Sequence, residues 1–167
     1  MESPRRDETD QPIFVIGPSS VGKSHLSTIA AAGLGLDVPE GDEDLRGAPL
    51  RDWSRVRPWL DSFAGQPSLL VLGAGTQDDC IRELITYLRP RRRRLILVID
   101  DPEAAFERNR AAGLRLTLNQ LQEYIEKEVS ERRDLYALAG EVVDYREVGQ
   151  ERAPSAFTAI VRGLLGR

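Results

Sequence analysis

The chain has 167 residues, of which 41% are hydrophobic, and a formal net charge of −4. This length suits one domain with a buried core, and a mildly negative charge gives no support to a nucleic-acid partner. The sequence has no apolar run of membrane-spanning length, and its lone cysteine, Cys80, cannot form an internal disulfide framework. We expect a cytoplasmic protein, monomeric or weakly dimeric, that binds neither membranes nor nucleic acid.

Short apolar runs alternate with longer amphipathic segments along the chain. Residues 1–11 are charged and lack the apolar stretch of a signal peptide, so we expect a flexible tail before one domain at 12–167. The apolar runs predict five strands, at 12–17, 36–38, 69–73, 95–100 and 141–145. The intervening segments predict helices at about 24–32, 53–63, 77–88, 101–112, 118–138 and 154–165. Together they predict an α/β fold, a three-layer α/β/α sandwich with a five-stranded parallel sheet.

The first predicted strand leads into GPSSVGKS, residues 17–24, which matches the phosphate-binding pattern G-x-x-x-x-G-K-[ST]. Glycines let this loop wrap closely, and the backbone N–H groups at the start of the next helix attract anions. Lys23 is expected to contact the β- and γ-phosphates of a nucleotide, and Ser24 to ligate magnesium. The motif therefore predicts a P-loop NTPase fold that uses ATP and Mg²⁺. The expected nucleotide contacts are Gly17, Pro18, Ser19, Ser20, Val21, Gly22, Lys23, Ser24 and His25, the last as a helix residue rather than a catalyst.

Six further short motifs follow the loop. They are Glu40-Gly41-Asp42-Glu43, Gly73-Ala74-Gly75, Asp101-Pro102-Glu103 leading to Arg108, Arg115-Leu116-Thr117-Leu118, Arg132-Arg133-Asp134-Leu135-Tyr136, and Val142-Val143-Asp144. In order and spacing they resemble the motifs of the shikimate kinase family, within the nucleoside-monophosphate-kinase-like group. The resemblance implies an ATP-dependent kinase that moves the γ-phosphate onto a hydroxyl of a small metabolite, with shikimate as one candidate acceptor.

The resemblance also implies roles for individual residues. Besides Lys23, the catalytic residues would be Asp42, which orients the acceptor hydroxyl, and Arg115, on a lid at about 113–118 that closes over the phosphates. Glu40 would hold magnesium through water, and Arg110 would lie near the adenine. The implied substrate-binding residues are Asp42, Arg51, Gly73, Ala74, Gly75 and Arg132, whose guanidinium would fork onto a substrate carboxylate.

The chain departs from the family pattern at several of these positions. Glu40 stands in place of an aspartate, Ala74 in place of the central glycine, and Leu116 in place of the lid proline. A longer acid and an added methyl group would crowd a pocket shaped for shikimate, so the prediction of ATP binding is firmer than that of the acceptor.

Three other functions stay open. The first is a nucleotide or antibiotic kinase, because the loop also looks like that of guanylate kinases. The second is a degenerate, nucleotide-binding regulatory protein without efficient transfer. The third is an ATPase in which Asp100, at the end of a predicted strand, holds magnesium.

The arginines at 91–94 are interpreted as a solvated connector rather than a binding patch, and Trp53 and Trp59 as core residues rather than a substrate platform.

Overall fold

The computed structural model describes residues 9–19, 21–46, 52–111, 113 and 115–167. Within these residues, four parallel strands form one sheet in the order β2-β1-β3-β4. The strands are β1 (Ile13–Ile16), β2 (Leu69–Val71), β3 (Leu95–Ile99) and β4 (Glu141–Asp144). Phe14 of β1 pairs with Leu70 on one side and with Leu95 on the other. β1 is buried along its whole length, as a central strand of a parallel sheet covered on both faces must be.

The helices are α1 (Lys23–Leu34), α2 (Gly41–Asp44), α3 (Trp53–Asp61), α4 (Ala74–Asp79), α5 (Ile81–Leu88), α6 (Pro102–Ala111), α7 (Leu118–Glu131), α8 (Arg133–Tyr136), α9 (Tyr145–Val148) and α10 (Ala153–Leu164).

Alternate residues of β1 enter separate cores. Ile13 and Val15 pack in one core that includes residues of α1 and α10, whereas Phe14 and Ile16 pack in another that includes residues of α3 and α5. The predicted α/β/α layering is therefore confirmed.

The predicted count of five strands is wrong, because the structure gives residues 36–38 no strand of their own. The chain from 37 to 40 runs beside β2 and makes two isolated bridges, Asp37 with Ser68 and Glu40 with Val71. The N–H of Val71 donates to the carbonyl of Pro39 (3.0 Å). Pro39 has no N–H to donate in return, so a regular ladder cannot form at this edge. The segment nevertheless carries Glu40 to the carboxyl end of β2.

Two predicted helices are each interrupted by one residue. The segment predicted at 77–88 begins earlier, at Ala74, and divides into α4 and α5 at Cys80, whose φ of −134° is not helical. The segment predicted at 118–138 divides into α7 and α8 at Arg132, whose φ is −104°. Both interruptions lie next to residues that form the candidate site described below.

The arginine-rich connector is a 3₁₀ helix, Arg89–Arg94, rather than a simple solvated loop. Arg91, Arg92 and Arg93 are exposed. Arg94 is partly buried and donates to the carbonyl oxygens of Pro12, Leu164 and Gln11. The connector therefore fastens the start of β3 to the chain ahead of β1 and to the end of α10.

The two tryptophans pack against the second core, as the sequence indicated. Trp53 meets Tyr87 edge to face (5.8 Å between ring centroids), and Trp59 meets Phe63 in the same way (5.3 Å). Trp53 and Tyr87 also line an open surface groove of about 390 Å³ between α3 and α5, whose lining does not include the loop at 17–24. None of the helices within the described residues combines the length and the apolar character needed to cross a bilayer.

Candidate active site

The loop between β1 and α1 requires glycine at both ends. Gly17 has a φ of 153°, and a Cβ there would lie 2.3 Å from the carbonyl oxygen of Val98. Gly22, which precedes α1, has a φ of 87°, in the left-handed region that disfavours other residues. The apolar Val21 between them is buried in the core and anchors the loop. The sequence motif thus forms the strand–loop–helix cradle that phosphate binding requires.

Lys23 points into this loop rather than into solvent. Its side chain is buried, and Nζ donates to the carbonyl oxygens of Gly17 (3.1 Å) and Pro18 (2.7 Å). Burial lowers the pKa of Lys23 to about 8, with Glu128 opposing this shift and Arg132 adding to it. A cation held in this position, with its charge only partly compensated by the protein, is suited to bind phosphate oxygens.

A carboxylate already lies in the loop. The N–H of Ser19 donates to both oxygens of Glu128 (3.1 and 3.2 Å), and the Ser19 hydroxyl donates to Oε2 (2.9 Å). Glu128 comes from α7 and is only 4% exposed. The donors of the loop therefore bind an anionic group in this structure. Binding of a nucleotide phosphate requires the same property.

Glu128 was missed by the sequence analysis, although its spacing carried a signal. Leu121, Ile125, Glu128 and Arg132 recur at intervals of three or four residues, and all four are buried. Two charged residues on an otherwise apolar helical stripe indicate a buried ionic contact, because an unpaired charge would be costly there.

Arg132, the predicted ligand of a substrate carboxylate, lies beside the loop with 0% exposure. Its Nε and Nη2 donate to the two oxygens of Asp78 (2.6 and 2.8 Å), and Nη2 also contacts Oε2 of Glu128 (2.7 Å). Nη1 donates to the hydroxyl of Tyr136 (3.1 Å) and to the carbonyl of Gly17 (3.4 Å). Burial disfavours the charged guanidinium, but the hydrogen bonds with Asp78 and Tyr136 outweigh it and raise the pKa of Arg132 above its ordinary value. Asp78 is a second residue that the sequence analysis missed.

Asp42 holds the amino end of α4, and so joins the predicted acceptor residues together. Its Oδ1 accepts from the N–H (2.9 Å) and the hydroxyl (2.7 Å) of Thr76, and its Oδ2 accepts from the N–H of Gly75 (3.2 Å). A Cβ at Gly73 would lie 2.3 Å from Asp42 Oδ2, so this close approach requires glycine. Asp42, Gly73, Ala74 and Gly75 therefore share one locality, and their roles in binding the acceptor stay predictions.

Helix α4 also contacts the phosphate loop directly. The side-chain amide of Gln77 donates to the carbonyl of Gly17 (3.1 Å) and to that of Leu72 (2.6 Å). Glu40 is partly buried near the end of β2, and both Glu40 and Asp42 act electrostatically on Lys23. Glu40, Asp42 and the amino end of α4 thus lie close to the phosphate loop.

An arginine of α6, Arg108, lies beside the loop, and the contact of Arg110 with the adenine stays a prediction. Arg108 pairs with Asp100 (2.6 Å) and lies over the ring of Tyr145 (4.7 Å to the centroid). The Tyr145 hydroxyl would be 3.1 Å from a Cβ at Gly22, which places this pair at the start of α1. Arg110 is exposed near the end of α6. Burial raises the pKa of Asp100, and the pairing with Arg108 opposes that shift.

The other predicted residues lie around this site. Ser24 and His25 are exposed in the first turn of α1, and Arg115 is exposed shortly before α7. Among the residues that the structure describes, no group of three or more His, Cys, Asp or Glu side chains is arranged to hold a metal ion. The magnesium roles of Ser24 and Glu40 therefore stay predictions. Two predicted site residues, Ser20 and Arg51, lie outside the described residues, as do position 114 of the predicted lid and position 112 at the end of the helix predicted before it.

Solved structures similar in fold to this chain include a shikimate kinase, a gluconokinase and a resistance protein. Shikimate kinase from Bacteroides thetaiotaomicron matches with a TM-score of 0.64 at 16% identity, over 94% of this chain and 99% of that one. A gluconokinase from Sinorhizobium meliloti matches with a TM-score of 0.58 at 20% identity, over 96% and 94% of the two chains. The tunicamycin resistance protein of Deinococcus radiodurans matches with a TM-score of 0.61 at 19% identity, over 91% and 95%. No protein-family model and no curated protein matches the sequence. The chain has a shikimate kinase-like P-loop kinase fold.

Proposed function

We propose that this protein is an ATP-dependent small-molecule kinase that transfers the γ-phosphate to a hydroxyl group of a small metabolite. The observation that carries the proposal is the loop after β1, where a buried Lys23 lies beside a main-chain amide that already holds an anionic group. The similarity in fold to a shikimate kinase and a gluconokinase supports it. Shikimate itself is one candidate acceptor among several.

Each group of the site has a task in this reaction. The loop amides and Lys23 would bind the phosphates of ATP, and Ser24 and Glu40 would hold the magnesium ion, which neutralises phosphate charge when bound. The amino end of α4 fixes the Asp42 carboxylate beside Gly73 and Gly75, where it would orient the acceptor hydroxyl and take its proton. Arg115 would close over the transferring phosphoryl group from the lid.

The direct test is a screen for acceptor-dependent release of ADP, together with thermal unfolding in the presence of MgATP. We expect Lys23→Ala to abolish the stabilisation by nucleotide, because it removes the cation at the centre of the loop. Lys127→Ala is the matched control, since Lys127 is an exposed lysine of α7 whose ion pair with Glu131 is long (3.9 Å). Nucleotide stabilisation that survives in Lys23→Ala would contradict the assignment of the loop.

Asp42→Asn separates binding from transfer. We expect it to retain nucleotide binding and to lose about 10²–10⁴-fold in turnover, the range typical of a general base. Thr76→Val removes one hydrogen bond to the same carboxylate without changing its charge. Its turnover therefore shows how much of the loss in Asp42→Asn comes from weakened hydrogen bonding within the protein. Equal turnover in Asp42→Asn and the wild type would reduce Asp42 to a helix-capping residue.

A nucleotide-binding protein without efficient transfer is the second candidate, and the contacts of both Asp42 oxygens with the amino end of α4 favour it. These contacts compete with an acceptor hydroxyl for the carboxylate that would take its proton. This candidate predicts stabilisation by MgATP but no ADP release with any acceptor, whereas an ATPase would release ADP without an acceptor.

A further inference from the structure

All three nitrogens of the Arg132 guanidinium are engaged within the protein. Arginine has one donor on Nε and two on each Nη. The Asp78 carboxylate accepts hydrogen bonds from Nε and Nη2, and Nη2 also forms an ion pair with Glu128. Nη1 donates to the Tyr136 hydroxyl and to the carbonyl oxygen of Gly17. With 0% exposure as well, Arg132 presents no donor to a ligand.

The Arg132–Asp78 contact has the geometry in which an arginine would bind a carboxylate substrate. Two parallel N–H···O bonds of 2.6 and 2.8 Å join Nε and Nη2 to the two oxygens of one carboxylate. Asp78 lies in the last turn of α4, the helix whose amino end is held by Asp42, and its side chain is 42% exposed. The protein's own carboxylate thus occupies the arginine fork from the side that faces solvent.

The charges around the loop lead to the same conclusion. Among the residues that the structure describes, the cations that hydrogen-bond to the loop are Lys23, which the phosphates of a bound nucleotide would use, and Arg132, which is already paired. Glu40, Asp42, Asp78 and Glu128 contribute carboxylates to the same locality. An anionic acceptor placed beside Asp42 would therefore meet like charges without gaining an ion pair with Arg132.

We propose that Asp78 is a specificity-determining residue that restricts the acceptor to neutral or cationic hydroxylated compounds, such as sugars, nucleosides and amino sugars, and excludes hydroxy acids. This inference rests on the proposed kinase function and names the substrate class of the same site. It acts through Arg132: as long as Asp78 holds the fork, a substrate carboxylate has no partner there.

Matched pairs of acceptors test the proposal on the wild-type protein with MgATP. Glucitol is compared with gluconate, and shikimate methyl ester with shikimate, because each pair differs chiefly in one carboxylate. We expect ADP release and binding heat with the uncharged members, and a kcat/KM at least tenfold lower for the acids. An acid that reacts as well as its uncharged partner would overturn the proposal and leave the kinase function intact.

Asp78→Asn tests the residue itself. Removing this charge should strengthen the binding of gluconate or shikimate at least tenfold in calorimetry, because a neutral amide holds the Arg132 fork less tightly and a substrate carboxylate can displace it. Asp79→Asn removes the same charge one position along the chain and should leave acid binding as in the wild type, and Asp78→Glu should keep the wild-type preference. No gain of acid binding in a folded Asp78→Asn protein would overturn the inference. If Asp78→Asn does not fold, the acceptor pairs on the wild type decide the matter.

The two claims fail in different ways. If no compound in the screen causes ADP release, while Asp78→Asn still gains acid binding over the wild type, the kinase function fails and the role of Asp78 stands. If the wild type phosphorylates acids as well as their uncharged partners, the kinase function stands and the role of Asp78 fails.

Discussion

Replacing Glu128 by glutamine should strengthen nucleotide binding and weaken the fold at the same time. The Glu128 carboxylate accepts from the N–H and the hydroxyl of Ser19, so it competes with a phosphate for a donor of the loop. It also pairs with the fully buried Arg132 (2.7 Å). Glutamine has nearly the same shape but no charge, so it keeps the packing while it weakens both contacts.

The size of each effect follows from these contacts. A hydrogen bond to a charged group contributes about 1.5–3 kcal/mol, so losing the charge should ease displacement of the side chain by about that amount. Since 1.4 kcal/mol corresponds to a factor of ten, MgATP should bind about 10-fold to 100-fold more tightly. Breaking a buried ion pair outright costs about 3–5 kcal/mol. Asp78 and Tyr136 still satisfy Arg132 in this variant, so the free energy of unfolding should fall by less, about 1–3 kcal/mol, which is roughly 3–10 °C in Tm.

Calorimetric titration with MgATP and thermal unfolding without nucleotide measure the two effects separately. Glu126→Gln is the matched control, because it makes the same change at an exposed position of α7 and should alter neither quantity by much. A Glu128→Gln protein that binds MgATP no better than the wild type would show that the carboxylate does not compete with the nucleotide. Weaker binding would show instead that Glu128 orders the loop for its ligand.

Three further predictions concern the loop, its neighbouring helix and the arginine connector. Burial lowers the pKa of Lys23 to about 8, and a bound phosphate would keep the side chain charged, so MgATP affinity measured by calorimetry should fall about tenfold between pH 7 and 9. An affinity that stays constant over this range would show that the charge of Lys23 does not control binding. Gly17→Ala should lower the free energy of unfolding in urea by more than about 2 kcal/mol, since its Cβ would lie 2.3 Å from a carbonyl oxygen of β3. Gly33→Ala, which adds a Cβ in open space within α1, should raise the free energy of unfolding by about 0.5–1 kcal/mol. Equal effects of the two substitutions would contradict the steric argument. Arg94→Ala should lower the free energy of unfolding by about 1.5–3 kcal/mol, because it removes hydrogen bonds to main-chain carbonyls. The exposed Arg93→Ala should lower it by less than about 0.5 kcal/mol. An Arg94→Ala protein as stable as the wild type would mean that the connector does not fasten the fold.

The parts of the fold that the sequence predicted correctly are those specified by local pattern. Strands such as β1 and β3 are continuous apolar runs, and the loop at 17–24 combines glycines with a lysine at fixed spacing. Residues 36–38 were less strongly patterned, and a single proline after them was enough to prevent a regular ladder. The interruption at Arg132 has neither glycine nor proline to mark it, and it coincides with the contacts that its side chain makes with other segments.

Roles that depend on distant partners could not be predicted in the same way. The sequence offered Arg132 as a ligand for a substrate carboxylate, and the structure does place it beside the loop. Whether its donors are available depends on Asp78, which lies 54 positions away, and the anion at Ser19 comes from a residue 109 positions away. In a chain with 23 lysines and arginines and 27 acids, the sequence permits many such pairings, and only the packing of α4 and α7 against the loop selects among them.

The two carboxylates that share Arg132 are not equivalent, and this difference connects nucleotide binding with the choice of acceptor. Glu128 holds a loop donor that a phosphate also needs, so it is the partner that a nucleotide would displace. Asp78 contacts Arg132 without touching the loop amide, so nothing in the binding of a phosphate requires it to leave. Once Glu128 has moved, one contact of Nη2 is released, but Asp78 still holds the fork formed by Nε and Nη2. Occupation of the loop should therefore leave the discrimination against hydroxy acids in place at the step where the acceptor binds.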